Sequence, residues 1–490
     1  MKRSRADKRK GKLPVGYAKR LESGHYKGRC GGAEVEVPLM EMESEAKRLA
    51  QLLSRAPVVV VHTGAGLSTA AGIPDFRGKD GVWTREKQGH PLPDYERCWD
   101  NAIPTLGHMA LAGLVQEGIV DAIVSQNVDG LHLRSGVPRD RLCELHGNLF
   151  MEACPGCKRE FRRTADVGGV GFQPTGRSCP HCSEGLVDVL LDWEDQLRDY
   201  DKAVELSNRQ VRGVSTLECR APGGVGLCLG TSLQIAPSKD LPAKADKMVI
   251  VNLQKTSKDA RAEIVIRAKI DAVMRCVMEE LGIPIPVYRR VEILVVSHTC
   301  CRAAEGDRWK WAISVGDAAD GARCGYVEAM TVSFPGTKLA KALINRPPFR
   351  VARTTKARLL RRSYDEGNKA DGSGGGSTVS TGSTGGDHCD EKEKPRVGEA
   401  KAESGVGARV TGVGVGIDSP SVGVEWPGVC DESSRISGFI TAVIALNFVA
   451  APGHGAPEPQ VVEYNLNLSA ETDSLETPVL LGEVDYNARR

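Results

Sequence analysis

Residues 58–77 read Val-Val-Val-Val-His-Thr-Gly-Ala-Gly-Leu-Ser-Thr-Ala-Ala-Gly-Ile-Pro-Asp-Phe-Arg. Four β-branched residues, with Pro57 behind them and glycines ahead, have the pattern of a buried parallel strand. Gly64 and Gly66 lack a Cβ, so the backbone there can turn tightly and come close to a ligand. A helix is expected to start near Gly66. Its free N–H groups and positive dipole end would then face an anion such as a pyrophosphate. A Gly-x-Gly alone fits a plain strand–turn–helix corner equally well, and the next glycine of the common dinucleotide fingerprint is missing. The continuation Gly72-Ile-Pro-Asp-Phe-Arg-Gly78 is far more specific.

Outward from this stretch, strands alternate with helices. Ser44–Ala56 is expected to form a helix capped by Ser44, with Ala46, Leu49, Leu52 and Leu53 on one face. Thr105–Val115 reads as a second helix. Asp121–Ser125, Arg141–Leu145, Val225–Leu229, Met248–Val251 and Glu263–Ile266 read as strands. Asp271–Leu281 reads as a helix stopped by Gly282 and Pro284. This alternation implies an α/β, Rossmann-like, doubly wound parallel sheet, with ligand bound beyond the strand ends. From about Val291 the pattern changes. Val291–Ser297, Tyr326–Phe334, Phe439–Ala450 and Gln460–Ser469 suggest strands, with Val462, Tyr464, Leu466 and Leu468 alternating with polar residues. Asp365–Glu432, rich in Gly, Ser and Thr with charged stretches, reads as a disordered insert. The expected organisation is a basic N-terminal tail (1–26), a catalytic domain (27–285), a β-rich C-terminal domain (286–364 and 433–490) and a disordered linker (365–432).

The 490 residues suffice for two to three domains. A formal net charge of +2 argues against binding polyanions over the whole surface. Local charge matters more. Met1–Lys12 is dense in Lys and Arg, and reads either as a solvated tail or as a nuclear import or DNA-phosphate contact segment. No run approaches eighteen apolar residues, so no transmembrane helix and no membrane partner are expected. The basic N-terminus is not followed by an apolar run, so it does not read as a secretory signal. The chain has 15 cysteines. Without such a signal, a metal site plus free thiols fits better than a disulfide framework. Cys154-Pro-Gly-Cys157 and Cys179-Pro-His-Cys182 are two Cys-x-x-Cys knuckles, each able to point two thiolates at one ion. Together they complete a tetrahedron with no open position, so one structural Zn2+ is expected. His181, inside a knuckle, reads as exposed.

Gly64-Ala-Gly-Leu-Ser-Thr with Gly72-Ile-Pro-Asp-Phe-Arg-Gly78 resembles the sirtuin family of NAD-dependent protein deacylases. The match continues through Gly81-Val-Trp83-Thr, Gln126-Asn-Val-Asp129-Gly-Leu-His, Glu144-Leu-His146-Gly-Asn, Gly230-Thr-Ser232-Leu and Val251-Asn252-Leu-Gln254. It covers roughly Lys27 to Ile285. In wording, especially Asp192-Trp-Glu-Asp195, it is closest to the nuclear class IV sirtuins. The resemblance implies a small zinc module, about Met151–Val187, inserted beside the cleft. Val211–Gly224 stands where family members run almost directly from a helix into a strand, and reads as an inserted loop.

For the cleft, an imidazole is the side chain best poised to accept a proton near neutral pH, which singles out His146. In isolation His146 would more often be structural. The resemblance makes it the group that takes a proton relayed through the NAD ribose. His62, His108 and His132 read as packed, structural histidines. Asn127 and Asp129 lie two apart and so face one side of an extended segment. The resemblance places them around the nicotinamide with Ile73 and Asp75, and His146, Asn127 and Asp129 form the expected catalytic set. The NAD contacts it implies are Gly64, Ala65, Gly66, Ser68, Thr69, Asp75, Phe76, Arg77, Trp83, Gln126, Asn127, His146, Gly230, Ser232, Asn252, Gln254 and Ile270. Arg77 suits phosphate through its fork of donors. Trp193 reads as a wall of the acyl-lysine channel or as packing under the zinc module. The implied products are deacylated lysine, nicotinamide and O-acyl-ADP-ribose, with NAD as co-substrate. Acylated lysines of proteins, histones among them, are the expected partners, in the nucleus or nucleolus, with chromatin or nucleic-acid contact through the basic ends Lys2–Lys12 and Arg346–Arg362. Mono-ADP-ribosyl transfer on the same NAD site and a non-enzymatic chromatin-binding module are the alternatives.

Overall fold

The structure is a computed structural model that describes residues 17–22, 25–91, 99–209, 223–302, 308–317, 326–335, 339–346, 348–356, 439–448, 460–467 and 472–487. The basic run Met1–Lys12, the linker 365–432, residues 357–362 and nearly all of Val211–Gly224 lie outside the described residues.

The valine run forms strand β1, Val59–Thr63, buried along its whole length. Val59 and Val61 face one apolar cluster, which draws on the helices Leu39–Arg55, Leu106–Gln116 and Ile270–Leu281. Val60 faces the other, with Ala203 and Leu241. A strand covered on both faces has no polar positions to alternate, which is why it reads as continuous valine. Strands β2 (Ala122–Ser125) and β3 (Leu142–Glu144) lie parallel on one side of β1. On its other side lie β8 (Val225–Leu229), β9 (Lys247–Val251) and β10 (Ile264–Ile266), also parallel. The order is β10-β9-β8-β1-β2-β3, so the chain reverses its direction of travel between β1 and β8. In an open parallel sheet a crevice forms outside the strand C-termini at that point.

Two local expectations shift. The first helix begins at Leu39 behind Pro38 rather than at Ser44. The segment after Gly64 makes two short 3-10 turns, Ala65–Leu67 and Thr69–Ala71, instead of an α-helix, and Gly72 closes them in the left-handed region. Elsewhere the termini follow the sequence. Thr105 forms a reciprocal capping box with His108, and Gly282 ends the helix Ile270–Leu281 with φ +67°.

Between β3 and β8 the chain makes a separate antiparallel sheet, β5-β4-β7-β6. Its strands are β4 (Met151–Ala153), β5 (Glu160–Arg162), β6 (Pro174–Ser178) and β7 (Gly185–Asp188). Within it the fully buried Glu152 carboxylate of β4 is paired with Arg163 (2.5 Å) and Arg177 (3.2 Å).

After the helix Ile270–Leu281 come two antiparallel four-stranded sheets. One has the order β15 (Phe349–Lys356), β12 (Arg308–Asp317), β11 (Tyr288–Arg302), β18 (Thr472–Val484), the other β14 (Ala342–Ile344), β13 (Val327–Ser333), β16 (Phe439–Phe448), β17 (Gln460–Asn467). They share one core, in which Leu294, Trp311 and Phe349 of the first sheet meet Met330, Ile444 and Val462 of the second. The β-rich reading of this region therefore holds. Among the described residues, the strands β12, β14, β15 and β18 are additions to it. The sandwich is fastened to the α/β body. Tyr288 and Val484 enter the main core, Asn487 bonds both the N–H and the C=O of Ile285, and the Tyr486 hydroxyl donates to the Pro104 carbonyl. Among the described residues no helix is long and apolar enough to cross a membrane.

Candidate functional site

At the C-terminal ends of β1, β2, β8 and β9 lies a cleft of about 1020 Å³, ample for an extended ligand. Its floor is where two loops cross. The Gly64 N–H bonds to the Leu229 carbonyl (3.0 Å) and the Gly66 N–H to the Gly230 carbonyl (2.9 Å). A Cβ on Gly64 would lie 2.7 Å from the Gly230 carbonyl oxygen, and one on Gly66 2.8 Å from the Gly230 Cα. These glycines are thus required first for loop-on-loop packing, with the close approach to a ligand as its consequence.

His146 follows β3 and lines the cleft. Its Nδ1 is 2.9 Å from the Gln126 carbonyl oxygen. A carbonyl only accepts, so Nδ1 carries the proton and Nε2 keeps its lone pair. Burial pushes the imidazole down to about 4, against the Gln126 hydrogen bond and with a smaller push from Arg77. His146 is therefore neutral near pH 7. Gly147 behind it has φ +85°. The segment leaving the zinc module runs directly against it, with the Leu191 N–H bonded to the His146 carbonyl at 3.2 Å.

Asn127 lines the cleft, and its Nδ2 donates to the Gly64 carbonyl (3.1 Å) and the Ser68 hydroxyl (3.3 Å). Ser68 donates in turn to Asp129 at 2.6 Å. The other Asp129 oxygen accepts from the Leu131 N–H at 2.9 Å. Ser68 and Asp129 are buried and stand behind the cleft wall rather than in it. Burial raises the Asp129 carboxyl, against the Ser68 and Leu131 hydrogen bonds.

Arg77 donates from Nε to the Lys27 carbonyl (2.9 Å), and its guanidinium lies 4.5 Å from the Trp83 ring centre. Its buried Nη2 has no hydrogen-bond partner among the described residues. Burial draws the guanidinium down to about 10. It stays a cation near pH 7, and an anion placed here would satisfy that nitrogen and offset the cost of burying the charge. Asp75 lines the cleft but staples its own turn, accepting from the Gly78 N–H at 2.9 Å. Phe76 packs on Trp83 (4.6 Å), Trp83 stacks on Trp193 (5.5 Å) and Trp193 on His25 (5.4 Å), forming an aromatic wall.

Gly64, Ala65, Gly66, Thr69, Gln126, Gly230, Ser232, Asn252, Gln254 and Ile270 also line the cleft. Gln126 Nε2 reaches the Thr231 hydroxyl (3.4 Å), Asn252 Nδ2 the Gln254 carbonyl (2.9 Å) and Gln254 Nε2 the Gly32 carbonyl (2.8 Å). Their amide N–H groups thus tie the loops and the strap 25–37 together, leaving carboxamide oxygens for a ligand. Of the expected site residues, Ser68 and Asp129 alone do not line the cleft. Sequence reasoning missed Tyr17, Gln234 and Lys269 in its lining. Tyr17 falls within the segment read as a basic tail, yet the helix Tyr17–Arg20 lies against the body and Arg20 pairs with Asp166. His62, His108 and His132 are buried; burial pushes His62 and His132 down to about 3 and His108 well below its usual value.

The sulfurs of Cys154, Cys157, Cys179 and Cys182 lie within 4.8 Å of one another. Cys154 and Cys182 are 3.3 Å apart, Cys157 and Cys179 3.6 Å. Four thiolates at about 2.3 Å from one ion would be spaced by about 3.8 Å, whereas a disulfide needs about 2.05 Å. The knuckles match. Lys158 and Ser183 each follow the second cysteine in the left-handed region, at φ +62° and +60°. The donor set fits one structural zinc. His181 is exposed, stacks on Phe161 and stands outside the four.

A model of the Sir2 family matches residues 64–237. The NAD-dependent protein deacetylase SRT1 of Arabidopsis thaliana is 38% identical over 351 residues, covering 70% of this chain and 72% of its own length. That is more of this chain than residues 1–285 could supply, so the similarity extends beyond the α/β body. The NAD-dependent protein deacetylase Sirt6 of Drosophila melanogaster is 39% identical over 289 residues, 56% of this chain and 87% of its own. A solved structure of Sir2 with a p53 peptide and NAD+ is 28% identical over 48% of this chain and 98% of that one, with a TM-score of 0.35.

Proposed function

This chain belongs to the Sir2 family, and on that premise we propose that it deacylates lysines of nuclear proteins, histones among them, with His146 as the proton acceptor. Its activity class is NAD-dependent protein deacetylation, with one structural zinc. NAD, when bound, supplies nicotinamide as the leaving group and an ADP-ribose that carries the acyl group away.

The chain's own residues do the rest. Arg77 holds a phosphate through the otherwise unpartnered Nη2. His146 takes up a proton at Nε2, because Nδ1 is committed to the Gln126 carbonyl. Asn127, fixed by Gly64 and Ser68, presents an oriented amide. Asp129 acts through Ser68 as a positioning residue. Phe76, Trp83 and Trp193 keep water from the reacting centre and wall the acyl-lysine. Residues 27–285 form the catalytic unit in this reading, 286–364 with 433–490 an accessory β-domain, and Met1–Lys12 a nuclear or nucleolar targeting and chromatin-contact segment.

The observation that carries the mechanism is the His146–Gln126 hydrogen bond inside a cleft that also holds the unsatisfied Arg77 nitrogen. The test is to feed acetylated histone-tail peptides and whole protein with NAD labelled in its adenylate half. Label in free O-acetyl-ADP-ribose, in step with deacetylation, is expected. Label retained on protein without deacetylation would instead assign mono-ADP-ribosyl transfer.

A further inference from the structure

A second, much smaller cavity, of about 70 Å³, is lined by the loops that carry Gly130 and Asn148. At about 30 Å³ per liquid water it holds about two waters, or one tetrahedral oxyanion. Its charged lining is lopsided: Arg134, Arg162, Arg163, Arg289 and Arg290 against the single carboxylate of Glu292. They come from three parts of the molecule. Arg134 ends the helix Leu131–Arg134, Arg162 and Arg163 belong to the zinc module, and Arg289 and Arg290 lie on β11 (Tyr288–Arg302) of the C-terminal sandwich.

Several of these arginines already have partners. Arg163 is paired with Glu152, Arg289 with Glu483 and Arg290 with Glu292. Arg162 is exposed and has no ion pair among the described residues. Arg134 donates from Nη1 to the Trp99 (3.1 Å) and Ala102 (3.2 Å) carbonyls, and its guanidinium lies over the Phe150 ring. Its Nη2 is buried with no partner among the described residues. Burial, and next the Arg290 charge, draw the Arg134 guanidinium down to about 10, against weaker support from Tyr288, Glu292 and Asp100. A buried guanidinium nitrogen without an acceptor, beside another guanidinium, is costly unless an anion is supplied. Gly130 and Asn148 also line the cavity, next to Asp129 and two residues past His146.

We propose that this pocket binds a compact tetrahedral oxyanion of the phosphate class, gripped by Arg134, Arg162 and Arg290 where the α/β body, the zinc module and the C-terminal sandwich meet. Arginine forks suit such an ion in geometry and charge. The ion would tie the sandwich to the loops that carry Asp129 and His146. The phosphate comes either free or as a monoester on another molecule.

The test uses the full chain without NAD. Thermal unfolding is followed against inorganic phosphate and, separately, O-phosphoserine, with ionic strength held constant by chloride. A saturable rise in Tm is expected, since only the folded state has the site. Arg162→Gln, at an exposed position, is expected to weaken the midpoint about tenfold, the loss of one charge-assisted bond. Arg290→Lys, which keeps charge but loses the fork, is expected to weaken it too, and in an Arg77→Gln background, which removes the phosphate contact of the main cleft, a saturable response sensitive to Arg162→Gln is expected to persist. A tighter response to one of the two compounds supports the site and identifies the source. An absent or non-saturable shift overturns the proposal. So does a shift abolished by Arg77→Gln and indifferent to Arg162→Gln, which would put the phosphate in the main cleft.

Discussion

Gly147→Ala is the sharpest structural perturbation available beside the His146 imidazole. Gly147 sits at φ +85°, where an alanine loses about 1–2 kcal/mol to the left-handed backbone. Its new Cβ would fall on the Val189 carbonyl oxygen and lie 2.8 Å from that carbonyl's carbon and 2.9 Å from the Leu190 Cα. These are backbone atoms, so no side chain can turn aside, and relief requires separating two chain segments at about 1–3 kcal/mol more. The expected loss is about 2–5 kcal/mol. At about 2–4 °C per kcal/mol this lowers Tm by roughly 4–20 °C. The segment displaced is the one that bonds the His146 carbonyl, and a shift of about 1 Å at a reacting group costs about a hundredfold in rate. Circular-dichroism melting and a nicotinamide-release assay measure both effects. Gly185→Ala, in the neighbouring zinc module and facing open space, is the control and should stay within about 0.5 kcal/mol. A Gly147→Ala protein that melts with the wild type and turns over at its rate would refute the packing argument.

Three other outcomes are expected. Stripping zinc with a strong chelator should release about one ion per chain and abolish activity through loss of the module's fold; zinc-free protein with full activity and an unchanged near-ultraviolet spectrum would contradict this. Arg77→Gln should weaken NAD binding about tenfold to a hundredfold by titration calorimetry, the worth of one charge-assisted hydrogen bond, and unchanged affinity would remove Arg77 from the phosphate site. His146 must be neutral to accept a proton, and burial has pushed it down to about 4. The acid limb of kcat/KM is therefore expected near pH 4, with activity kept as pH falls through 6.5 and lost only below about 5; a limb at the ordinary histidine value would show that the cleft does not shift this group.

Much of the α/β body is legible in the sequence because its signals are local. The β1 valines, the Thr105 cap and the Gly282 stop each act within a few residues. The Cys-x-x-Cys pairs are equally local, since each knuckle is a closed turn. What the sequence hides is non-local. Strand β18 pairs with β11 across nearly two hundred residues and carries Pro478 and Gly482, which blur any alternation. The helix expected after Gly66 gives way to 3-10 turns, because Gly64 and Gly66 are held against Gly230 from another strand. Ser68 and Asp129 stand in the motifs beside Asn127, yet packing turns them inward to support it. Tyr17 reads as tail because nothing in a short basic stretch announces a contact with Leu191, 174 residues away.

The proposed chemistry depends on one imidazole, that of His146, with its Nε2 lone pair free to take a proton. The most direct measurement compares wild type with His146→Ala, following nicotinamide release and peptide deacetylation in the same reaction while NAD binding is measured separately. Wild type should form the two products one for one, and the variant should lose deacetylation while still folding and still binding NAD. Deacetylation persisting in His146→Ala at more than a small fraction of the wild-type rate would show that the proton goes elsewhere.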